Sequence, residues 1–263
     1  MLRHESQING YAIHASDGLI GTINDVLFDD ATWFVRWFVI DTGTWLTGRK
    51  VLLPPSALES VNHTANQFVV KLSRQQVRDC PDIDTDLPVS RQHETNIYNY
   101  YGWAPYWGAG SYMGMVGYGG YLDGSPITPS SAALVEREKS IDQAERSKND
   151  PTLRSIKEVT GYYVHANDGD VGRVEDFLME DGDWSIHYLV VDVGKWWHGN
   201  KVLVSPLAVQ SIRWTDRQVN LGLNRKTVQD SVAYDPSATV DPIYEKHIHK
   251  YNDAGRPRES VDA

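Results

Sequence analysis

The chain has 263 residues, a formal net charge of −10 and an apolar fraction of 41%. This apolar content is enough for folded cores and excludes a fully disordered chain, while the negative charge argues against binding to nucleic acid. The N-terminus has no apolar signal-peptide segment, and no apolar run reaches the length of a membrane span. Cys80 is the single cysteine, so no intrachain disulfide can form. We therefore expect a cytoplasmic protein with no nucleic-acid partner.

The N-terminal part of the chain predicts a small, mainly β module. Runs of β-branched and aromatic residues alternate with turn residues at short spacing, a pattern typical of strands. Asp17-Gly18 is expected to form a hairpin turn, because glycine accepts a positive φ. One helical turn is expected at 73–79. The predicted strands cover residues 8–14, 19–28, 33–41, 49–53 and 67–72.

The third predicted strand has two unequal faces. Its period-two pattern places one set of side chains in the core, namely Trp33, Val35, Trp37 and Val39. Phe34 and Phe38 fall on the opposite face, where they are either partly exposed or covered by another part of the protein. We therefore predict Phe34 and Phe38 as candidate interface residues.

A loop with a tryptophan between two glycines follows at residues 43–48, and a similar loop at 194–199 contains Trp196 and Trp197. A phosphate-binding loop would continue with Gly-Lys-Ser or Gly-Lys-Thr, which neither loop does. Two alternatives stay open. The tryptophans are either exposed anchors for a partner or fold back to close the end of the module. We predict Trp45, Trp196 and Trp197 as candidate interface residues.

The middle of the chain predicts a linker. A short helix is expected at 90–101, and residues 98–124 contain nine aromatic residues among many glycines. Three interpretations of this segment are open: aromatic packing on the modules, association with a partner or a second copy, and contact with a membrane surface. Residues 130–148 then predict a polar helix, and residues 253–263 a disordered tail.

An internal repeat decides the architecture. GYAIHASDGLIGTINDVLFDD at 10–30 aligns without a gap with GYYVHANDGDVGRVEDFLMED at 161–181. More than a third of the positions from 10 to 84 are identical to the residue 151 positions later, which indicates duplication of one folding unit. The register also predicts a second closing helix at 241–252. The predicted domains are repeat 1 at 1–101, the linker at 102–151, repeat 2 at 152–252 and the tail at 253–263.

Both copies carry the same motif of glycines, acidic residues and an apolar strand, and this motif resembles the PRC-barrel domain family. In the first copy its residues are Gly10, His14, Asp17, Gly18, Gly21, Asp25, Val39, Asp41, Gly43, Lys50, Val51, Leu52 and Pro55. In the second copy they are Gly161, His165, Asp168, Gly169, Gly172, Asp176, Val190, Asp192, Gly194, Lys201, Val202, Leu203 and Pro206.

The resemblance implies a mainly β fold of two tandem small PRC-like β-barrels, each followed by a short helix and joined by the aromatic and glycine-rich linker. Members of the family include the cytoplasmic domain of the H subunit of purple-bacterial photosynthetic reaction centres and the C-terminal domain of a ribosome maturation factor. Many others are stand-alone bacterial proteins. These roles imply docking on a protein partner. The chain is expected to lack the membrane helix of the H subunit, and its PRC-like N-terminal half leaves no room for the separate N-terminal barrel of the maturation factor. Neither specific role is therefore transferred.

The recurring acidic residues have a chemical and a structural interpretation. Asp17, Asp25 and Asp41, with Asp168, Asp176 and Asp192, could form an acid–base or cation site only if they converge. We favour hydrogen bonds at turns and strand ends, and Asp25 is expected at a bulge or as a cap of backbone donors. His14 and His165 recur without a recurring nucleophile. His247 and His249 are spaced unfavourably for a metal pair on a helix.

We therefore expect no catalytic residue, metal or cofactor. The leading functional hypothesis is a non-enzymatic adaptor or scaffold that binds an unidentified protein, with its two barrels packed as a pseudo-dimer or in a homo-oligomer. The main alternative is a peripheral membrane-associated assembly protein held by the aromatic linker. An enzyme or a metal-binding protein is a further alternative with less support.

Overall fold

The computed structural model describes residues 1–46, 48–81, 91–103, 105, 153–194, 201–231 and 233–236. Its strands in the N-terminal half are β1 (Leu2–His4), β2 (Ala12–Ala15), β3 (Gly18–Asp29), β4 (Val35–Asp41), β5 (Lys50–Leu53), β6 (Leu58–Asn62) and β7 (Gln67–Val70). Those in the C-terminal half are β8 (Leu153–Ser155), β9 (Tyr163–Ala166), β10 (Gly169–Glu180), β11 (Ile186–Asp192), β12 (Lys201–Val204), β13 (Val209–Arg213) and β14 (Gln218–Leu221).

Short helices connect these strands. They are α1 (Glu5–Ile8), α2 (Arg74–Asp79), α3 (Arg91–Tyr101), α4 (Ile156–Val159) and α5 (Arg225–Gln229), with 3₁₀ turns at Pro55–Ala57 and Pro206–Ala208. The helical turn predicted at 73–79 and the helix predicted at 90–101 are confirmed by α2 and α3. The polar helix predicted at 130–148, the helix at 241–252 and the tail at 253–263 lie outside the described residues.

The chain is mainly β and forms two seven-stranded sheets. The first sheet has the order β5-β4-β3-β2-β7-β6, with β8 also paired to β3. The second sheet has the order β12-β11-β10-β9-β14-β13, with β1 also paired to β10. Each strand from β8 to β14 begins and ends 151 residues after its counterpart from β1 to β7. The strand bounds therefore follow the same register as the sequence repeat.

The described residues fall in two compact units. The first contains residues 1–74 and the described residues from 153 onward, which include both sheets. The second contains the described residues from 75 to 105. Within the second unit, Ile97 of α3 is fully buried, and the ring of Tyr101 stacks on that of Trp103 with centroids 4.2 Å apart.

The first sheet begins differently from the prediction. A strand was predicted at 8–14, but α1 occupies residues 5–8 and β2 starts only at Ala12. The physical reason is Gly10, whose φ of +82° turns the chain between helix and strand. β1 and β6 were not predicted, because three residues at the N-terminus and an exposed five-residue segment give little hydrophobic pattern.

β4 follows its predicted alternation from Val35 onward, whereas Trp33, which was also predicted in the core, precedes the strand and is only partly buried. Trp37 is fully buried, and Val35 and Val39 are nearly so. Phe38, on the opposite face, is also fully buried, whereas Phe34 is 37% exposed. Of the two alternatives for this face, Phe38 is covered by another part of the protein and Phe34 is partly exposed. β4 therefore has apolar contacts on both faces over part of its length.

Candidate functional site: the junction of the two sheets

Each sheet receives the first strand of the other half of the chain. β1 pairs antiparallel with β10 of the second sheet, with Leu2 opposite Glu180 and His4 opposite Leu178. β8 pairs antiparallel with β3 of the first sheet, with Leu153 opposite Asp29. The two halves therefore exchange their first strands. We call the region formed by β1 on β10, β8 on β3 and the contact between 33–35 and 184–186 the junction.

The third contact of the junction joins the starts of β4 and β11. The N–H of Val35 donates to the carbonyl of Trp184 over 2.9 Å, and the N–H of Ile186 donates to the carbonyl of Trp33 over 2.7 Å. Trp33 and Trp184 have φ values of +60° and +62°, which bulky residues rarely adopt. Such strained conformations persist only where the surrounding contacts fix them.

The ring of Trp184 packs against two aromatic rings of the first sheet. It packs edge-on against Phe38 with centroids 4.9 Å apart and against Phe68 with centroids 5.5 Å apart. Trp184 is only 7% exposed. Phe38 also packs edge-on against Phe68 of its own sheet with centroids 5.5 Å apart, so residues of both sheets bury its ring. Phe34, by contrast, forms a single bridge to Ser185 and keeps part of its ring exposed.

Asp176 of β10 holds the exchanged N-terminal strand. Its carboxylate accepts hydrogen bonds from Ser6 Oγ at 2.6 Å, from the Ser6 N–H at 3.3 Å and from the Phe177 N–H at 2.7 Å. His4 Nδ1 lies 2.9 Å from the same carboxylate, and His4 Nε2 lies 2.8 Å from the hydroxyl of Tyr234. Burial disfavours the charge of Asp176, but the hydrogen bonds from His4 and Ser6 outweigh it and lower its pKa.

Asp25 of β3 has the equivalent role for β8. Its carboxylate accepts hydrogen bonds from Ser155 Oγ at 2.5 Å, from the Lys157 N–H at 3.1 Å and from the Val26 N–H at 2.7 Å. The pairing of β3 with β4 shifts register at this position, so Asp25 lies at a bulge. Burial raises the pKa of Asp25 despite these hydrogen bonds. Asp25 and Asp176 therefore anchor the two exchanged strands from equivalent positions.

A pair of salt bridges extends the same pattern. Arg3 of β1 pairs with Asp181 through Nε at 3.1 Å, and Arg154 of β8 pairs with Asp30 through Nε at 2.7 Å. Arg154 is 151 residues after Arg3, and Asp181 is 151 residues after Asp30. Charge pairs that are partly withdrawn from water fix geometry more firmly than exposed ones. The junction is thus approximately symmetric at the level of single side chains.

Glu5 breaks this symmetry, because its counterpart is Ile156. The Glu5 side chain is 7% exposed, and within the described residues its Oε1 has no hydrogen-bond partner. Burial and, to a smaller extent, the charges of Asp176 and Asp25 raise its pKa to about 7, while Lys157 acts in the opposite direction. Glu5 therefore places a third carboxyl group at the junction, and this one is protonated over much of the acidic range.

The other recurring acidic residues cap turns and helices. Asp17 Oδ1 accepts the N–H of Arg74 at the start of α2 over 2.7 Å, and Asp168 does the same for Arg225 at the start of α5 over 2.6 Å. Asp41 and Asp192 each accept the N–H of the glycine two residues later over 2.8 Å. These four carboxylates therefore bind backbone donors, as the structural interpretation expects.

The recurring glycines meet conformational or steric requirements. Six of them have positive φ, from +58° to +142°, namely Gly10, Gly18, Gly43, Gly161, Gly169 and Gly194. Gly21 and Gly172 stand where the neighbouring strand passes closest. A Cβ at either position would lie 2.0 Å from the carbonyl oxygen of Asp41 or Asp192, which leaves no room for a side chain.

The tryptophan loop of the first half folds onto its own sheet. Trp45 Nε1 donates to the carbonyl of Ile20, and the guanidinium of Arg74 lies 4.4 Å from the centre of a Trp45 ring. This arrangement agrees with the alternative in which the tryptophan closes the end of the module. Trp196 and Trp197 lie outside the described residues, so that part of the interface prediction stays a prediction.

The histidines singled out in the sequence do not join the junction. His165 Nδ1 lies 2.8 Å from Asp170 Oδ1 on an exposed hairpin. Across the described residues, no group of three or more histidine, cysteine or acidic side chains is placed to hold a metal ion. His247 and His249 lie outside the described residues. Within the described part of the chain, no helix has the length and apolar character needed to cross a membrane.

Sequence reasoning missed six residues of the junction, namely Arg3, His4, Glu5, Ser6, Arg154 and Ser155. A signal was present for two of them, because Leu2-Arg3 and Leu153-Arg154 are identical pairs 151 residues apart. The gapless match that reveals the repeat begins at Gly10, where the glycine motif starts. Glu5 gives no such signal, since its counterpart is apolar.

A comparison with curated proteins found no match to the chain. The family model described as the PRC-barrel domain matches residues 6–77. The matched segment contains the recurring glycines and acidic residues of the first copy and extends from α1 into α2. Residues 6–77 of this chain therefore form a PRC-barrel domain.

Proposed function

We propose that the chain is a non-enzymatic scaffold that binds a protein partner on a platform of two PRC-barrel-like modules. Support for the second module comes from its strands and motif residues, which lie 151 residues after those of the first. The observation that carries the proposal is the set of hydrogen bonds that the recurring carboxylates accept. They accept hydrogen bonds from backbone groups and from the exchanged strands, a role that maintains structure.

The junction supports a scaffold role in a second way. A single PRC-barrel unit is small and gains stability by burying apolar surface against another unit. Strand exchange places both sheets in the first compact unit, so that their outer surfaces keep a defined relation. A protein that presents two docking surfaces in fixed positions suits assembly of a complex.

The proposal predicts direct binding of at least one cellular protein. Tagged full-length chain is incubated with lysate of the source organism, and the captured proteins are identified, purified and mixed with the purified chain. We expect one or more of them to bind with fixed stoichiometry in titration calorimetry. If none of the captured proteins binds the purified chain, the scaffold proposal is contradicted.

A matched variant locates the binding surface. Trp196→Ala/Trp197→Ala removes the two tryptophans predicted as interface anchors. Loss of capture by this variant assigns the docking surface to the 194–199 loop, and retained capture assigns it elsewhere. Trp45 is left unchanged because its ring contacts the sheet that carries it.

A further inference from the structure

A groove runs beside the edge strand of the first sheet. Its volume is about 460 Å³, and its walls come from the 3₁₀ turn and β6 on one side and from the turn at 182–184 of the second sheet on the other. Trp184 lines the groove with an almost fully buried ring, so the ring forms a fixed apolar floor. Because both sheets contribute to its walls, the groove depends on the junction.

The exposed strand can accept another strand. β6 is the last strand of the first sheet, and within the described residues only β7 pairs with it. An edge strand of five residues, Leu58–Asn62, offers backbone N–H and C=O groups to an added chain of similar length. Leu58 and Val61 are partly exposed in the groove and offer apolar contacts.

The groove is acidic, which selects the kind of chain that would bind. Its charged lining residues are Glu59 and Asp183, and both are exposed. Burial disfavours the charge of Asp183, but hydrogen bonds from the Ser185 hydroxyl and N–H outweigh it and lower its pKa. His187 is a basic neighbour on β11, and its ring nitrogen lies 3.1 Å from Ser185 Oγ. Two carboxylates beside an apolar floor favour a positively charged side chain.

The equivalent edge of the second sheet has a different chemistry and serves as an internal comparison. β13 ends the strand order of that sheet as β6 ends the first. Gln210 stands at the position of Glu59, and Thr32 stands at the position of Asp183. The duplicated edges therefore share their backbone but differ in charge, so electrostatic selection of a basic partner applies to β6 alone.

We propose that the β6 groove binds an extended segment of a partner protein that carries lysine or arginine and adds as a strand along β6. The added strand would hydrogen-bond to the edge of β6, place one apolar side chain against Trp184 and direct a basic side chain toward Glu59 and Asp183. This inference rests on the proposed scaffold function and names the class of its partner.

A displayed peptide library tests the proposal on the full chain. Random peptides of about twelve residues, long enough to span β6, are selected on the wild-type protein, and a synthetic peptide of the enriched sequence is titrated by fluorescence anisotropy. We expect the enriched peptides to combine lysine or arginine with strand-forming residues. Amide hydrogen exchange at Leu58–Asn62 should slow when the peptide binds.

Charge reversal provides the matched control. Glu59→Lys/Asp183→Lys should weaken binding of the peptide by at least about tenfold, whereas Gln210→Lys/Thr32→Lys at the equivalent edge should change it by less than about twofold. Thermal melting of both variants establishes that they are folded. Failure to enrich basic sequences, equal binding to the reversed variant, or protection only outside Leu58–Asn62 would each overturn the proposal.

The outcome separates this inference from the scaffold function itself. Captured cellular proteins that bind the wild type and the Glu59→Lys/Asp183→Lys variant equally well would contradict the β6 groove and leave the scaffold function supported. Absence of any directly binding protein would contradict the scaffold function.

Discussion

Replacing Glu5 by glutamine should stabilise the folded protein by about 3 kcal/mol at pH 8 and by less than about 1 kcal/mol at pH 5. The Glu5 carboxyl is 7% exposed, and its pKa is raised from 4.5 to about 7, first by burial and then by Asp176 and Asp25. At pH 8 the folded state must therefore hold an unfavourable buried charge. Glutamine retains the shape of the side chain without that charge.

The raised pKa of Glu5 decides how the stability of the folded protein changes with pH. Because the folded state binds the Glu5 proton more tightly than the unfolded state, the contribution of Glu5 to stability is complete below pH 4.5. It is lost as the pH rises through about 7. The raised pKa of Asp25 acts in the same direction, and the lowered pKa of Asp176 acts oppositely. Both groups are present in wild type and variant, so their effects largely cancel in the difference.

Urea unfolding at the two pH values measures this difference. Glu59→Gln, at an exposed position, is the matched control and should change the free energy of unfolding by less than about 0.5 kcal/mol at either pH. A Glu5→Gln effect that is equal at pH 5 and pH 8, or a loss of stability at pH 8, would show that the carboxyl does not carry a buried charge.

Substituting Asp176 by alanine should destabilise the protein by about 3 kcal/mol or more. The substitution removes the acceptor for Ser6 and Phe177 and the partner of His4, so several donors at the junction lose their hydrogen bonds. Asp25→Ala should have a similar effect through Ser155 and Lys157. Chemical unfolding gives the magnitude, and faster amide exchange in β1 or β8 identifies the strand that is released.

Asp168→Ala is the control for this pair. It removes a carboxylate that is also repeated, but one that caps α5 on the surface, and a lost cap costs about 1 kcal/mol. If Asp176→Ala costs no more than Asp168→Ala, the carboxylates do not anchor the exchanged strands.

The repeat register made much of the fold predictable. Most strand positions, α2 and α3 follow from local patterns, and the family match at 6–77 agrees with the motif of the first copy. The alternation along β4 also predicts that Phe34 and Phe38 are either partly exposed or covered. In the structure Phe34 is partly exposed and Phe38 is covered. These features depend on short-range periodicity, which a sequence records directly.

The junction could not be predicted in the same way. β1 has three residues and pairs with a strand more than 170 residues away, so no local pattern indicates its partner. The environment of Glu5 arises only when Asp25, Asp176 and Lys157 come together from distant parts of the chain. The groove at β6 likewise needs Trp184 from the other sheet. Long-range pairing between two similar halves decides these features.

Each half of the chain completes the sheet of the other half. A specific protease site inserted in the linker at 102–151 allows the purified protein to be cut after it has folded, and size-exclusion chromatography with light scattering then gives the mass of the product. We predict that the two fragments stay together at the mass of the uncut chain, 29.7 kDa plus the inserted site, because β1 and β8 remain paired across the cut. Elution of the fragments as separate folded species would contradict strand exchange.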